Sequence, residues 1–256
     1  MHTDAAYYPS LSGRVAFVTG GASGIGAAVV EALTSQNCRT AFIDIDAGSA
    51  EQLCMRLHER YGQAPMFLQC DVRELDKLRQ AVDDARRRLG RIDILVNNAA
   101  HDGRHDIDDV DPAYWDDRIA INLRPYFFAA QAVRPQMREN GGGSIINFSS
   151  TSWKIKTSGY SVYAMCKAAA HGLTRSMARE LGADRIRVNT VTPGWVMTER
   201  QLAQHVDAQA ELDIARNQCL PDRIVPDDLA AMVLFLASEA SRMCTGQEFV
   251  VDAGWT

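Results

Sequence analysis

Short apolar runs alternate with amphipathic stretches along the whole of this chain. Residues 14–18 (RVAFV) and 39–44 (RTAFID) have the length and apolar character of buried strands. Between them, residues 27–33 space their apolar side chains as a helix does. The alternation continues with a helix over residues 47–61, a strand over 65–70, a helix over 74–89 and a strand over 92–96. Asp111-Pro112 reads as an N-cap with proline at the first helical position, opening one long helical region to about Arg138. Gly141, Gly142 and Gly143 end it, in a tract whose length suits a turn rather than a linker. A strand over 144–148, a helix over 161–181, a strand over 187–191, a helical stretch over 199–216, a helix over 227–237 and a last strand over 248–251 complete the pattern.

The strands are continuous apolar runs, as in a parallel sheet covered on both faces, so the predicted fold class is α/β, a single doubly wound Rossmann domain. With no repeat of fixed period and no shift in composition, one domain over residues 1–256 is expected, with 1–10 as an N-terminal lead-in. At 256 residues and 46% hydrophobic, the chain can bury one large core. A net charge of −5 argues against nucleic acid or an anionic membrane as the main partner. Six cysteines without a C-x-x-C pair point to free buried thiols in a reducing compartment rather than a disulfide frame. No apolar run approaches the roughly 18 residues of a spanning helix, and no basic-then-apolar leader opens the sequence, so a cytoplasmic protein is expected.

The chemistry enters through spacing. Between the first strand and the first helix lies Thr19-Gly-Gly-Ala-Ser-Gly-Ile-Gly26, a loop whose backbone N–H groups can approach a pyrophosphate at a helix N-terminus. Gly20, Ser23, Gly24, Ile25 and Gly26 are therefore candidate cofactor contacts. Asp44 ends the second strand, about 20 residues on, where a carboxylate accepts from ribose hydroxyls and repels a 2′-phosphate. No Arg or Lys lies in the loop or directly follows Asp44, so the predicted cofactor is NAD rather than NADP. Tyr163 and Lys167, four apart, share one face of a helix, and Ser150 stands upstream of them at the end of a strand. An ammonium beside a phenol favours the phenolate, and a serine can hold an alcohol against it, which together describe proton removal as hydride leaves. Asn122 offers an amide able to fix a water that links Lys167 to solvent. Tyr160 is the rival base, but its i+4 partner is Ala164.

With these residues in hand, the chain resembles the short-chain dehydrogenase/reductase family from about Leu11 onward. The resemblance rests on Thr19–Gly26, Asp71-Val72, Asn97-Asn98-Ala99, Asn122, Ser150, Tyr163/Lys167, and Pro193-Gly194 with Thr198. It implies that Asp71 and Val72 meet the adenine, and that Asn98 and Ala99 shape the floor of the cofactor site. It further implies that Pro193, Val196 and Thr198 lie at the nicotinamide, where Tyr163 and Lys167 also reach the cofactor. Asn122, Ser150, Tyr163 and Lys167 would form the catalytic tetrad, in a homotetramer built partly on the 161–181 helix and the last strand. One departure is Ala100, where the family usually has glycine, which puts the backbone path there in question. A narrower resemblance, to bacterial NAD-dependent aldose 1-dehydrogenases of the D-xylose and L-arabinose kind, rests on Tyr8-Pro-Ser-Leu11, Arg104-His105, Tyr114-Trp115-Asp116, Gln218-Cys-Leu220, Arg223-Ile-Val-Pro226 and Asp252-Ala-Gly-Trp255.

The loops after the later strands suit a small-molecule sugar substrate, which needs polar partners and an aromatic surface. Candidate substrate contacts are Asp102 and Arg104, then Ser150, Ser152, Trp153 and Lys154, then Tyr163 and Trp195. The expected reaction is NAD-dependent oxidation of a pentose or related hexose at C1. The alternative is oxidation of a ring-carbon hydroxyl in a keto-deoxy sugar acid, whose carboxylate Arg104 or Lys154 would pair. His101-x-x-x-His105 has the spacing of metal ligands, but a loop gives no fixed i,i+4 geometry and no metal is expected. A hydrolase using Ser150 would need a G-x-S-x-G elbow, which is absent.

Overall fold

Residues Val15–Thr19 form strand β1 with every side chain buried, and they divide between two cores. Val15 and Phe17 pack into one, Ala16 and Val18 into the other, because successive strand side chains point to opposite faces. This is why the strands read as unbroken apolar runs. The computed structural model describes residues 6–256, and the part of the expected lead-in before residue 6 lies outside them. The remaining strands are β2 (Arg39–Asp44), β3 (Met66–Gln69), β4 (Ile94–Asn97), β5 (Gly143–Phe148), β6 (Ile186–Pro193) and β7 (Glu248–Val251). They form a sheet in the order β3-β2-β1-β4-β5-β6-β7, with all neighbours parallel.

The helices are α1 (Gly24–Ser35), α2 (Ala47–Tyr61), α3 (Leu75–Leu89), α4 (Pro112–Asn122), α5 (Arg124–Glu139), α6 (Ser161–Leu181), α7 (Glu199–Gln204), α8 (Ala208–Asn217) and α9 (Pro226–Ala237). One core takes Val29 and Leu33 of α1, Leu53 and Leu57 of α2 and Val233 of α9. The other takes Leu78 and Val82 of α3, Val133 and Met137 of α5 and Met177 and Leu181 of α6. The expected doubly wound domain is therefore present. No helix among the described residues is long and apolar enough to cross a membrane.

Strand order reverses between β1 and β4, opening a crevice at their carboxyl ends, where ligands of such sheets bind. Buried polar side chains tie these ends together. Asn97 Nδ2 donates to Asn147 Oδ1 at 2.9 Å, Asn147 Nδ2 donates to Thr174 Oγ1 at 2.9 Å, and Thr190 Oγ1 donates to Thr174 Oγ1 at 2.8 Å. This chain of bonds fixes β4, β5, β6 and α6 relative to one another at the edge that carries the site.

Two helical readings need correction. The long helix expected from Asp111 to Arg138 breaks at Leu123, whose ψ of −51° accompanies a φ of −136°. Pro125 in the first turn of α5 has no N–H and cannot continue α4. The stretch 199–216 likewise divides, because Asp207 caps a new helix by accepting from Ala210 N at 2.8 Å. The lead-in is also more than a tail. Pro9–Leu11 makes a 3-10 turn that buries Leu11 completely, and Tyr8 N donates to Gln36 Oε1 at 2.8 Å. Of the six cysteines, all free, Cys38, Cys70 and Cys166 are buried and Cys219 is exposed.

Candidate active site

Two adjoining cavities, of about 550 and 570 Å3, run along the carboxyl edge and share Ile25, Asn98, Ala100, Asp102, Thr198 and Gln201. The 570 Å3 cavity opens on the glycine loop. A side chain at Gly26 would place its Cβ 1.8 Å from Gly20 O, and one at Gly20, whose φ is +69°, would meet Ala99 Cα at 2.8 Å. The α1 N-terminus that follows has no side-chain cap from Ser23, in contrast to α2 and α4, which Asp46 and Asp111 cap. An uncapped helix start facing a cavity beside a closely packed glycine turn is a place that fits a pyrophosphate.

The other expected cofactor residues fall around the same space. Gly24, Ser23, Asp44, Asp71, Val72 and Ala99 line this cavity, while Pro193, Val196, Tyr163 and Lys167 line the other. Asn98 works from behind: its Nδ2 donates to Gly20 O at 2.8 Å, and the Thr19 hydroxyl accepts from Asn98 N and Ala99 N. Asp44 does more than expected, since its Oδ2 accepts from Ala22 N at 2.9 Å and so holds the glycine loop as well. Ala100 is absent from the residues with positive φ, so alanine takes the backbone path there without strain. The arginines bordering the cavity are engaged: Arg73 with Asp71 and Asp117, Arg118 with Asp117, and Arg200 with Asp102.

Helix α6 brings Tyr163 and Lys167 to the cleft because Val162, Cys166, Ala170, Thr174 and Ala178 anchor its adjoining stripe on the sheet. Lys167 Nζ lies over the Tyr163 ring, 5.5 Å from its centroid. Ser150, extended at the end of β5, accepts from Ser152 N at 3.1 Å and is hydrogen-bonded to Tyr163. The electrostatics differ from the simple expectation. Burial pushes the Tyr163 phenol well above its ordinary value, and the Asp102 carboxylate adds to this, while the Ser150 hydrogen bond opposes it. Burial also pushes Lys167 down to about 7, against the charges of Cys166 and Asp102. In the protein alone, desolvation is the largest influence on both groups.

Asn122 ends α4, fully buried against the loop after β4. Its Oδ1 accepts from His101 N at 2.8 Å and its Nδ2 donates to His101 O at 3.1 Å, so the amide clips the loop after β4 to α4. Tyr126 went unnoticed in the sequence because it falls within an apparent long helix. Its hydroxyl accepts from Lys167 Nζ at 2.8 Å.

The 550 Å3 cavity contains Asp102, Arg104, Ser150, Ser152, Tyr163 and Trp195 of the expected substrate residues. Trp153 and Lys154 are corrections, for neither lines it. Lys154 Nζ pairs with Glu248 at 2.7 Å, and the Trp153 ring packs on His171, 5.1 Å between centroids. The 3-10 turn Thr151–Trp153 rotates the two residues away from Ser150, a local geometry that spacing does not announce. Asp102 borders the cavity, but Arg200 and Gln201 hold its oxygens at 3.0 and 2.9 Å. Gln201 also lines the cavity, as do Tyr160, expected only as a rival base, and Trp255, which is 6.4 Å from Trp195 between ring centroids. The signal for Trp255 was its place in the Asp252-Ala-Gly-Trp255 segment of the narrower resemblance. His101 and His105 diverge, the first toward Arg118 and the second toward Tyr114 and Ser161.

Comparison with known proteins adds to this geometry. A family model described as enoyl-(acyl carrier protein) reductase matches residues 20–256. The chain is 44% identical over 247 residues to a "probable galactose dehydrogenase" of Rhizobium meliloti, covering 96% of each. It is 43% identical over 250 residues to the D-xylose 1-dehydrogenase of Caulobacter vibrioides, covering 98% of each. A solved blue fluorescent protein from a metagenomic library, in complex with NADPH, superimposes with a TM-score of 0.89 at 36% identity, over 96% of this chain and 99% of that one.

Proposed function

The chain belongs to the short-chain dehydrogenase/reductase family, and from that premise we propose that it oxidises an aldose, a pentose or related hexose, at C1 with NAD. As an oxidoreductase acting on CH–OH groups it takes a nicotinamide cofactor. The observation that carries the sugar reading is Ser152. Its hydroxyl is buried, in a residue only 6% exposed, and has no hydrogen-bond partner among the described residues, and Ser152 belongs to the wall of the cavity that holds Ser150 and Tyr163. A buried orphan hydroxyl costs stability until a ligand pairs with it. Around it, Trp195, Trp255 and Tyr160 provide faces for sugar C–H groups.

The mechanism follows from the positions. Ser150 and Tyr163 hold the anomeric hydroxyl, and Tyr163 Oη takes its proton as the C1 hydride departs. NAD, held by the glycine loop, Asp44, Pro193, Val196 and Thr198, would supply the hydride acceptor when bound. Burial disfavours the Tyr163 phenolate in the protein alone, and the Ser150 hydrogen bond works against that effect. Lys167 adds its ammonium from behind the Tyr163 ring, and Asn122 keeps the loop after β4 in place. The carbonyl formed at C1 is that of a lactone, which opens in water to the aldonic acid. NAD over NADP is supported by Asp44, since a 2′-phosphate would meet this carboxylate and arginines already committed to ion pairs.

One observation favours a second substrate class. Arg104 lines the cavity without an ion-pair partner among the described residues, as binding of a keto-deoxy sugar acid would require. Initial rates with NAD and NADP across pentoses, hexoses and sugar acids, with the product identified as lactone or ketone, test both. Fast turnover of neutral aldoses to lactone supports the first reading. Turnover of acids alone, to a ketone, replaces it with the second.

A further inference from the structure

We propose that Tyr126 is a positioning residue of this reaction: its buried hydroxyl holds the ammonium form of Lys167 beside Tyr163. The inference rests on reading Tyr163 and Lys167 as the proton-handling pair. Tyr126 stands in the first turn of α5, just past the break at Leu123, and is 1% exposed. The break aims it. Its N–H donates to Leu123 O at 3.1 Å, and its ring reaches under α6 to the end of β5.

Three polar atoms close a small ring there. Tyr126 Oη donates its proton to Phe148 O at 2.8 Å, and Lys167 Nζ donates to Tyr126 Oη at 2.8 Å and to Phe148 O at 3.0 Å. A phenol has one proton to give. With that proton on Phe148 O, only oxygen lone pairs face the lysine, so Tyr126 stands as an acceptor toward Nζ. An ammonium has three N–H groups; two are spent on this ring, and the third is left for the cleft that Lys167 and Tyr163 both line.

The surroundings make this acceptor matter. Lys167 is 1% exposed, and no carboxylate among the described residues bonds its Nζ. The groups that face it are Tyr163 and Cys166 on its own helix, Tyr126 on α5, the Phe148 carbonyl on β5 and, at longer range, Asp102 in the loop after β4. Hydrogen bonds to a charged donor are roughly twice as strong as those to a neutral one, so the Tyr126 oxygen favours ammonium over amine. It also fixes where the charge sits relative to the Tyr163 ring. A tyrosine with a merely structural role would be satisfied by Phe148 O alone.

The test exploits composition: the chain has four lysines, Lys77, Lys154, Lys156 and Lys167. In the wild-type protein labelled at lysine 13Cε, the Lys167 resonance, assigned by its loss in Lys167→Met, should titrate near neutrality. In Tyr126→Phe its midpoint should fall by roughly one unit, from the loss of one charge-assisted bond. The acid limb of kcat/KM for aldose oxidation should move up correspondingly, with kcat reduced about tenfold and the Kd for NAD little changed. If Tyr126→Phe does not fold, replacement of Tyr126 alone by 3-fluorotyrosine keeps the shape, weakens the acceptor oxygen and should move the midpoint in the same direction. An unmoved Lys167 midpoint in the folded variant, with only thermal stability reduced, overturns the assignment of Tyr126. A wild-type protein without aldose oxidation overturns the functional reading instead, and the resonance midpoints still decide Tyr126.

Discussion

Lys167 Nζ lies 5.5 Å from the centroid of the Tyr163 ring, yet the hydrogen bonds it makes go to Tyr126 Oη and Phe148 O. The two groups thus act on each other through their fields. Both are buried, and burial is what drives Tyr163 up and Lys167 down.

Replacing Tyr163 with Phe should remove the proton acceptor while leaving the ring that packs against Tyr160, 6.0 Å away between centroids. We expect kcat for sugar oxidation to fall by about 10³-fold or more, with the Kd for NAD within about threefold of wild type. Equilibrium cofactor binding and single-turnover rates check this. A variant that keeps its kcat removes Tyr163 from the mechanism.

Lys167 should leave a mark on stability as well as on rate. In the folded protein it loses its proton near pH 7, whereas in the unfolded chain it holds it to about 10.4. Between these values the unfolded state binds more protons, so the protein gains stability as pH rises, and the cost of the buried charge is complete only below about 7. Tyr163 acts in the opposite sense only above about pH 10, where an unfolded tyrosine begins to ionise. In urea unfolding, the stability of wild type minus that of Lys167→Met should therefore increase between pH 7.5 and 9.5, by up to about 2.5 kcal/mol. Parallel curves would show that Lys167 keeps an ordinary titration in the fold.

Asp44→Ala probes two roles at once. Loss of its carboxylate should shift the NADP-to-NAD ratio of kcat/KM upward by about 10-fold or more, since a repelling charge and a ribose acceptor both go. Because Asp44 Oδ2 also holds Ala22 N, the KM for NAD should rise even where no phosphate is present. An unchanged ratio would mean that another group reads the ribose.

Much of this was legible before the fold was known, for identifiable reasons. The glycine loop, Asp44, Ser150 and the Tyr163/Lys167 pair depend on local spacing along single elements, and the described elements put all of them on one sheet edge. What escaped notice depends on meetings between distant elements. Tyr126 on α5 finds Lys167 on α6 only because Pro125 turns the chain at Leu123. Asn147 looks like an inconvenient polar residue in β5 until it joins Asn97 and Thr174. Trp153 and Lys154 were misplaced because a 3-10 turn carries them toward β7 and His171, where Glu248 takes the lysine.

That misplacement becomes an expectation about specificity. Lys154→Met should change KM for neutral and acidic sugars alike, and by less than about threefold, because its charge is spent on Glu248 outside the substrate cavity. Arg104→Ala should raise KM for acidic sugars by about tenfold while sparing neutral ones, if an acid is the substrate. Equal effects on both kinds would identify Arg104 as a wall of the cavity rather than an anion partner.

Asp102 lines both cavities where they adjoin. Its oxygens bind Arg200 Nη2 at 3.0 Å and Gln201 Nε2 at 2.9 Å, and Gln201 Oε1 in turn accepts from Trp195 Nε1 at 3.0 Å. The loop after β4 is thereby fastened to α7 and to the loop after β6. Arg200 is 43% exposed, so the ion pair is worth at most about 1 kcal/mol and can open readily. Asp102→Ala should accordingly speed NAD release about fivefold in stopped-flow traces, and the release should lose the salt acceleration that a screened ion pair gives wild type. The same substitution removes a charge that raises Tyr163, so the acid limb of kcat/KM should move to lower pH, opposite to the shift expected for Tyr126→Phe. Release rates and salt dependence identical to wild type would show that this fastening does not limit cofactor exchange, while an unmoved acid limb would show that the Asp102 carboxylate does not reach the phenol.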